Sequence, residues 1–360
     1  MVRIAYQGEP GAYSEAAALA FAPDATPVAC KSFEDVFRAV AGGEAARGIL
    51  PMENTIGGSI HRNYDLLVEH ELPIVGEVQL HVDHCLLALP GVRLEDVRVV
   101  HSHPQALAQC EGWLRGLPRV ELSAVYDTAG GAKLIREQGL RDHAAVASIR
   151  AAQVFELEIL ARGIQDFDTN ITRFVVIARQ AMTEGADKTS VVFALPSQPG
   201  ALFRALSVFA LRNIDLTKLE SRPIRGRAWE YMFYADLAVS RDDLNCGRAL
   251  VNLAEFAKWV RTLGTYRASR EVLSPSGSPQ ADPKSHPSDV SERAQRVSHA
   301  SGAGHGAPAS ERVGESEGRS PSDASEGAQR VSHGSGAGHG APASERVGES
   351  EGRSPLDKVR

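Results

Sequence analysis

Asn170-Ile171-Thr172-Arg173-Phe174 opens a run of apolar residues with the composition of a strand. In extended backbone, residues two apart share a face, so Asn170 and Thr172 point one way and Arg173 the other. An amide and a hydroxyl at a strand mouth can carry a function. The same pair can also be merely structural. Gly8-Glu-Pro-Gly-Ala-Tyr-Ser-Glu15 runs from a strand into a helix, where free backbone N–H groups could hold an anion. It lacks the GxGxxG and GK[ST] spacings, which disfavours nucleotide phosphate and leaves a carboxylate or an ordinary turn. Glu53-Asn-Thr-Ile-Gly-Gly-Ser59 is a second flexible turn with amide and hydroxyl groups.

His101-Ser-His-Pro-Gln-Ala-Leu-Ala-Gln-Cys110 sits at a strand end, with Pro104 suited to the first turn of a helix and Ser102 able to cap it. With His81, His84 and Cys85 these histidines raise the question of a metal. The spacing matches no known ligand set, so no metal is expected. Cys30, Cys85, Cys110 and Cys246 form no CxxC pair and read as reduced structural thiols.

These residues must be positioned by α/β layers. Val2–Tyr6, Pro27–Cys30 and Arg47–Leu50 read as strands alternating with helices over Tyr13–Phe21, Phe33–Ala41 and Ile60–Glu69. Ile74–Leu89 reads as one extended stretch. The alternation then resumes from Val97 to Phe155, and Thr172–Ala178 is a strand returning to the first unit. Two lobes facing each other across a cleft follow, and clefts bind small ligands. After the polar linker Thr183–Asp187, the rhythm from Lys188 to Arg267 changes to the βαββαβ order of a ferredoxin-like domain.

From Glu271 to Arg360 there is no Phe, Tyr, Trp or Cys, and Pro287–Ser320 recurs almost unchanged as Pro321–Ser354. That segment has nothing bulky to stack and reads as disordered. A net charge of −6 gives no footprint for nucleic acid or an anionic membrane. No apolar run is long enough to span a bilayer and the N-terminus lacks a secretory apolar region, so a cytoplasmic protein is expected.

Taken together and in this order, from Arg3 to about Arg267, these segments resemble the prephenate dehydratases and the closely similar arogenate dehydratases. The resemblance implies a two-lobed α/β catalytic region like that of periplasmic binding proteins over 1–180, an ACT regulatory domain over 188–268 and a low-complexity tail over 271–360. It implies that Thr172 is the essential threonine of the family's Thr-Arg-Phe motif. Asn54, Ser102, Gln105, Thr128 and Asn170 would line the substrate cleft, with Arg173 and Phe174 counted among the substrate-binding residues. Gly200-Ala201-Leu202-Phe203 is similar to the family's Gly-Ala-Leu-Val segment, and Glu220-Ser221-Arg222-Pro223 matches its Glu-Ser-Arg-Pro segment. These are the family's phenylalanine-binding elements. Phe203 departs from Val, and Ala12 departs from the Thr often found there, as in plant-type arogenate enzymes.

The implied reaction is decarboxylating dehydration of prephenate to phenylpyruvate, with arogenate as the alternative substrate and L-phenylalanine as feedback effector. No cofactor is implied, and pairing of ACT domains implies a homodimer or homotetramer. Prephenate is favoured because nothing at the N-terminus resembles a plastid transit peptide. A non-catalytic amino-acid sensor or solute-binding protein is the rival from another class.

Overall fold

A computed structural model describes residues 1–117, 119–227 and 229–274. The duplicated tail, and with it the expectation of disorder, lies outside the described residues.

The first lobe is built on strands Arg3–Gln7, Thr26–Cys30, Arg47–Asn54, Ile74–His81 and Ile171–Ala178. Arg3–Gln7 pairs in parallel with both Thr26–Cys30 and Arg47–Asn54. The late strand Ile171–Ala178 inserts antiparallel between Arg47–Asn54 and Ile74–His81. Phe174, Val175, Val176 and Ile177 on it are at most 1 % exposed, so it is the spine of the lobe. Local signals agree with this layering. Helix Phe33–Ala41 starts at Ser32, whose side chain accepts from the Asp35 N–H while the Asp35 carboxylate accepts from the Ser32 N–H. Its Val36, Phe37, Ala39 and Val40 pack onto the sheet.

The second lobe carries a separate sheet in the order Glu158–Arg162, Cys85–Ala88, His143–Ala147, Val99–Ser102, Glu121–Ala124. Helix Thr128–Gln138 covers it, capped by Asp127 and stopped by Gly139 in the left-handed conformation. The third unit has strands Lys188–Ala194, Leu216–Pro223, Tyr231–Leu237 and Trp259–Tyr266 with helices Ala201–Ala210 and Leu244–Phe256. Its antiparallel order places the first and third strands centrally, which is the expected ferredoxin-like arrangement.

Four features differ from expectation. Ile74–Leu89 is two strands in two sheets, divided at Val82–His84, where the Val82 N–H donates to the Asn170 carbonyl at 2.7 Å. Both halves are almost wholly buried, so the apolar run carries no sign of where the chain changes sheets. The strand Glu158–Arg162 was not anticipated; it is a half-exposed sheet edge without alternation. Val272–Leu273 pairs with Gln79 and Leu80, so paired chain runs beyond the boundary set by composition at residue 271.

The fourth difference is that the ferredoxin-like sheet is not separate. Trp259–Tyr266 meets Ile74–His81 in parallel at Gly264 and Ile74, giving one eleven-stranded sheet among the described residues. A Cβ at position 264 would lie 2.2 Å from the Ile74 carbonyl oxygen, so only glycine permits this approach.

Candidate active site

The chain crosses between the lobes at Val82–His84 and at residues 163–170, and the cleft lies at these crossings. It encloses about 610 Å³. The first lobe contributes Asn54, Gly57, Ser59, Thr172 and Phe174, and the second contributes Gln105, Gln109, Tyr126, Asp127 and Thr128. Helices Tyr13–Phe21, Phe33–Ala41 and Thr128–Gln138 all begin at its wall. Helix N-termini carry partial positive charge. Among the described residues no lysine or arginine lines the cleft, so carboxylates entering it would meet helix ends and N–H groups. The first of these helices has no side-chain cap at Ala12, which leaves its first-turn N–H groups for a ligand.

Asn54 organises the centre. Its Oδ1 accepts from the Ile56 N–H at 3.0 Å and the Gly57 N–H at 2.7 Å, which fixes the orientation of the amide. Its Nδ2 therefore faces the other strand and donates to Asn170 Oδ1 at 2.7 Å and to Thr172 Oγ1 at 3.0 Å. With an acceptor site on Thr172 occupied in this way, the threonine proton is left to donate elsewhere. Asn170 Nδ2 donates to Gln109 Oε1 at 3.0 Å, and His84 Nε2 lies 3.0 Å from the same oxygen. On its other side His84 Nδ1 lies 3.0 Å from the Tyr13 hydroxyl. A hydrogen-bonded row thus runs from Tyr13 through His84, Gln109 and Asn170 to Asn54 and Thr172.

Burial pushes the His84 imidazole below its ordinary pKa, and the hydrogen bond with Gln109 offsets only part of this. The ring is therefore neutral, with its Nε2 proton turned to Gln109 and its Nδ1 facing a Tyr13 hydroxyl that also donates to the Asp83 carbonyl at 2.7 Å, which removes it as an acid. Burial likewise raises the Tyr13 phenol far above its usual range. The mouth of the cleft is tied by Glu9, which accepts from the Tyr126 hydroxyl at 2.5 Å and from Lys133 Nζ at 3.1 Å. These bonds hold the Glu9 carboxyl below its ordinary pKa.

His84 and His101 are both depressed by burial and take up a proton less readily folded than unfolded. Stability should therefore be lost as pH falls below about 6.5, the unfolded value, toward the folded values. Urea midpoints compared at about pH 7.5 and about pH 5.5 should show the loss, and His84→Gln should reduce it. An equal loss in the variant would remove His84 from the account.

Of the residues expected at the cleft, Asn54, Gln105, Thr128, Thr172 and Phe174 line it. Gln105 reaches so far across that a Cβ on Gly57 would sit 1.7 Å from its Nε2. Asn170 is fully buried behind the wall, where it holds Asn54. Ser102 is also fully buried, and its hydroxyl donates to the Val146 carbonyl at 2.6 Å inside the second lobe. Arg173 lies on the opposite face of its strand from Thr172. It pairs with Glu77 at 2.8 Å, Glu53 at 3.2 Å and Asp236 at 2.6 Å, which makes it a carboxylate clamp beneath the cleft rather than part of the lining. Sequence reasoning missed Tyr13, Gln109, Tyr126 and Glu9. Gln109 was detectable, since it lies four residues from Gln105 on one helix face. The histidines weighed as metal ligands have other partners: His81 meets the Asp168 carbonyl, and His101 meets His143 at 2.7 Å.

The expected effector segments divide. Gly200, in the left-handed conformation, starts helix Ala201–Ala210, and Leu202 and Phe203 are exposed. A depression beside Ala201 and Leu202 is bordered by Trp229, Tyr231 and Phe233 but by nothing from Glu220 to Pro223. Along Leu216–Pro223 the burial alternates. Ser221 and Pro223 face outward, whereas Glu220 bonds Ser59 at 2.9 Å and Arg222 pairs with Asp65 at 3.2 Å.

Residues 4–182 match the family model for prephenate dehydratase, and residues 189–244 match that for the ACT domain. The chain is 50 % identical over 284 residues to arogenate dehydratase/prephenate dehydratase 2, chloroplastic, of Arabidopsis thaliana, covering 76 % of this chain and 74 % of the relative. Prephenate dehydratase from Arthrobacter aurescens in complex with L-Phe is similar at 30 % identity and a TM-score of 0.68, covering 82 % of this chain and 97 % of that one. The structure of GqqA, described as a novel type of quorum quenching acylase, is 38 % identical with a TM-score of 0.70, covering 74 % of this chain and 98 % of that one. The cytoplasmic expectation is corrected by the relatives, because three from Arabidopsis thaliana are described as chloroplastic and point to the plastid. An address is read by receptors and leaves no mark in a folded core. Half-identity across three quarters of the chain, with both family models matched in order, means that it belongs to the prephenate dehydratase family of hydro-lyases with an ACT domain.

Proposed function

We propose that this enzyme converts prephenate to phenylpyruvate, water and CO2, with Thr172 as the hydrogen-bond donor to the departing hydroxyl. Aromatisation supplies the driving force, so the protein's task is to orient two carboxylates and stabilise the leaving oxygen. The observation that carries this reading is the Asn54 amide bound to Thr172 Oγ1, which leaves the threonine proton to donate. Arogenate is the second reading. It is favoured by the names of the half-identical relatives and by a lining that carries Glu34 and Asp127 but no lysine or arginine, which suits an α-ammonium group. Parallel assays with the two substrates test both, and a higher kcat/KM for prephenate is expected. The reverse order would assign arogenate, and turnover of neither would leave the sensor reading.

L-Phenylalanine is the proposed effector, binding between paired ACT domains of a homodimer or homotetramer. The family's L-Phe complex and the exposure of Leu202, Phe203 and Ser221 support this. Added phenylalanine should lower turnover in the same assay, and sedimentation should show at least a dimer. The acylase activity described for GqqA has less support here, because it needs an activated nucleophile. Burial pushes the Cys85 and Cys110 thiols up to about 12, which keeps them protonated and unreactive.

A further inference from the structure

The geometry points to Lys218, on the ACT strand Leu216–Pro223, as a positioning residue for the Asn54–Thr172 pair in the catalytic cleft. The argument starts from the turn that holds Asn54. Its amide is oriented by the N–H groups of Ile56 and Gly57, and the turn is closed at its base by backbone pairing of Glu53 with Ser59 and of Asn54 with Gly58. Lys218 Nζ binds the side chains of both closing residues, Glu53 through Oε2 and Ser59 through Oγ at 3.3 Å. The Ser59 hydroxyl in turn donates to Glu220 Oε2 at 2.9 Å, two residues along the same ACT strand.

Glu53 connects this contact to the other half of the pair. Its second carboxylate oxygen accepts from Arg173 Nη1 at 3.2 Å, and Arg173 is opposite Glu53 in the register where Thr172 is opposite Asn54. The two strands therefore present Asn54 and Thr172 to the cleft and Glu53 and Arg173 to the ACT domain. Any displacement of Glu53 is passed to both cleft residues through one peptide unit on each strand. The Lys218 side chain is 12 % exposed and its ammonium lies 5.5 Å from the Tyr64 ring centroid, so it is held in one place rather than sampling solvent.

Lys218 touches no cleft volume, and its effect should appear in turnover rather than in substrate binding. In the full-length chain assayed with prephenate, Lys218→Met should lower kcat about ten- to a hundredfold while KM changes less than about threefold. Glu53→Gln should produce a loss of the same kind, and the double variant should fall no further than the worse single one, because both break one linkage. A wild-type kcat in Lys218→Met, a loss confined to KM, or additive effects of the two substitutions would each overturn the assignment. Should Lys218→Met fail to fold, Glu220→Met removes the acceptor of the Ser59 hydroxyl and the more distant carboxylate beside the ammonium, which stays paired with Glu53. It should give a smaller fall in kcat at constant KM, and an unchanged kcat would overturn the assignment as well. The inference rests on the dehydratase reading, and the two fail differently. An inactive wild-type chain with either substrate sinks that reading, whereas an active variant sinks only the role of Lys218.

Discussion

Thr172→Val is expected to fold normally and to lose about a hundred- to a thousandfold in kcat with little change in KM. Valine keeps the shape and removes the hydroxyl. Asn54 Nδ2 then still has the Asn170 Oδ1 and Ile171 carbonyl acceptors, so no buried donor is stranded. What disappears is a donor placed in advance by a bond that faces away from the substrate. A threonine hydroxyl is a weak acid, and its contribution is hydrogen-bond stabilisation of charge on the leaving oxygen rather than delivery of a free proton. Neither His84 nor Tyr13 can take its place, since burial keeps the His84 ring neutral and the Tyr13 hydroxyl donates to the Asp83 carbonyl at 2.7 Å. Thr172→Ser, which retains the donor, should recover most of the rate. Steady-state kinetics on the three proteins, with circular dichroism as the folding control, make the comparison. A valine variant turning over at the wild-type rate would sink the assignment.

Arg173→Met should cost about 3–5 kcal/mol of folding stability, measured as a fall in urea midpoint. The guanidinium uses Nε for Glu77, Nη1 for Glu53 and Asp236, and Nη2 for the Tyr266 hydroxyl at 3.1 Å. Its carboxylate neighbours hold its pKa well above the usual arginine value despite burial that works the other way. Removing it leaves Glu77 with Lys188 and the Ser269 N–H, but strips Asp236 of its cation in a site 9 % exposed. An uncompensated buried carboxylate is the expensive outcome. Arg173→Lys should rescue little, because a single ammonium cannot reach four partners in one plane. A variant within about 1 kcal/mol of wild type would show that the charges rehydrate instead.

The sequence exposed the fold wherever a short-range signal existed. The helix over Phe33–Ala41, the return of Thr172–Ala178 to the first lobe and the βαββαβ order were all legible from period and turn residues. The break at Val82–His84 was not, because a strand buried on both faces looks the same in either sheet. At the site, alternation along 170–174 correctly separated Thr172 from Arg173. It did not show that Asn170 would be spent on Asn54 and Gln109, because that depends on which residues another segment brings opposite. Ser102 was placed in the cleft by its motif but turns into its own lobe, where the Val146 carbonyl needs a donor. Glu220 and Arg222 read as effector contacts, yet their inward register gives them to the first lobe.

The glycine junction at residue 264 has a mechanical consequence. By fusing the ACT sheet to the first lobe, it makes these two units one arm of a lever, while the second lobe is the other arm, hung on two short spans of chain. His84 lies in one span and Thr172 just beyond the other, so both sit at the fulcrum, where rotation moves atoms least. The Glu9–Tyr126 tie lies away from these spans, at the exposed mouth. A rotation of one arm against the other would therefore displace the rim more than the donor pair.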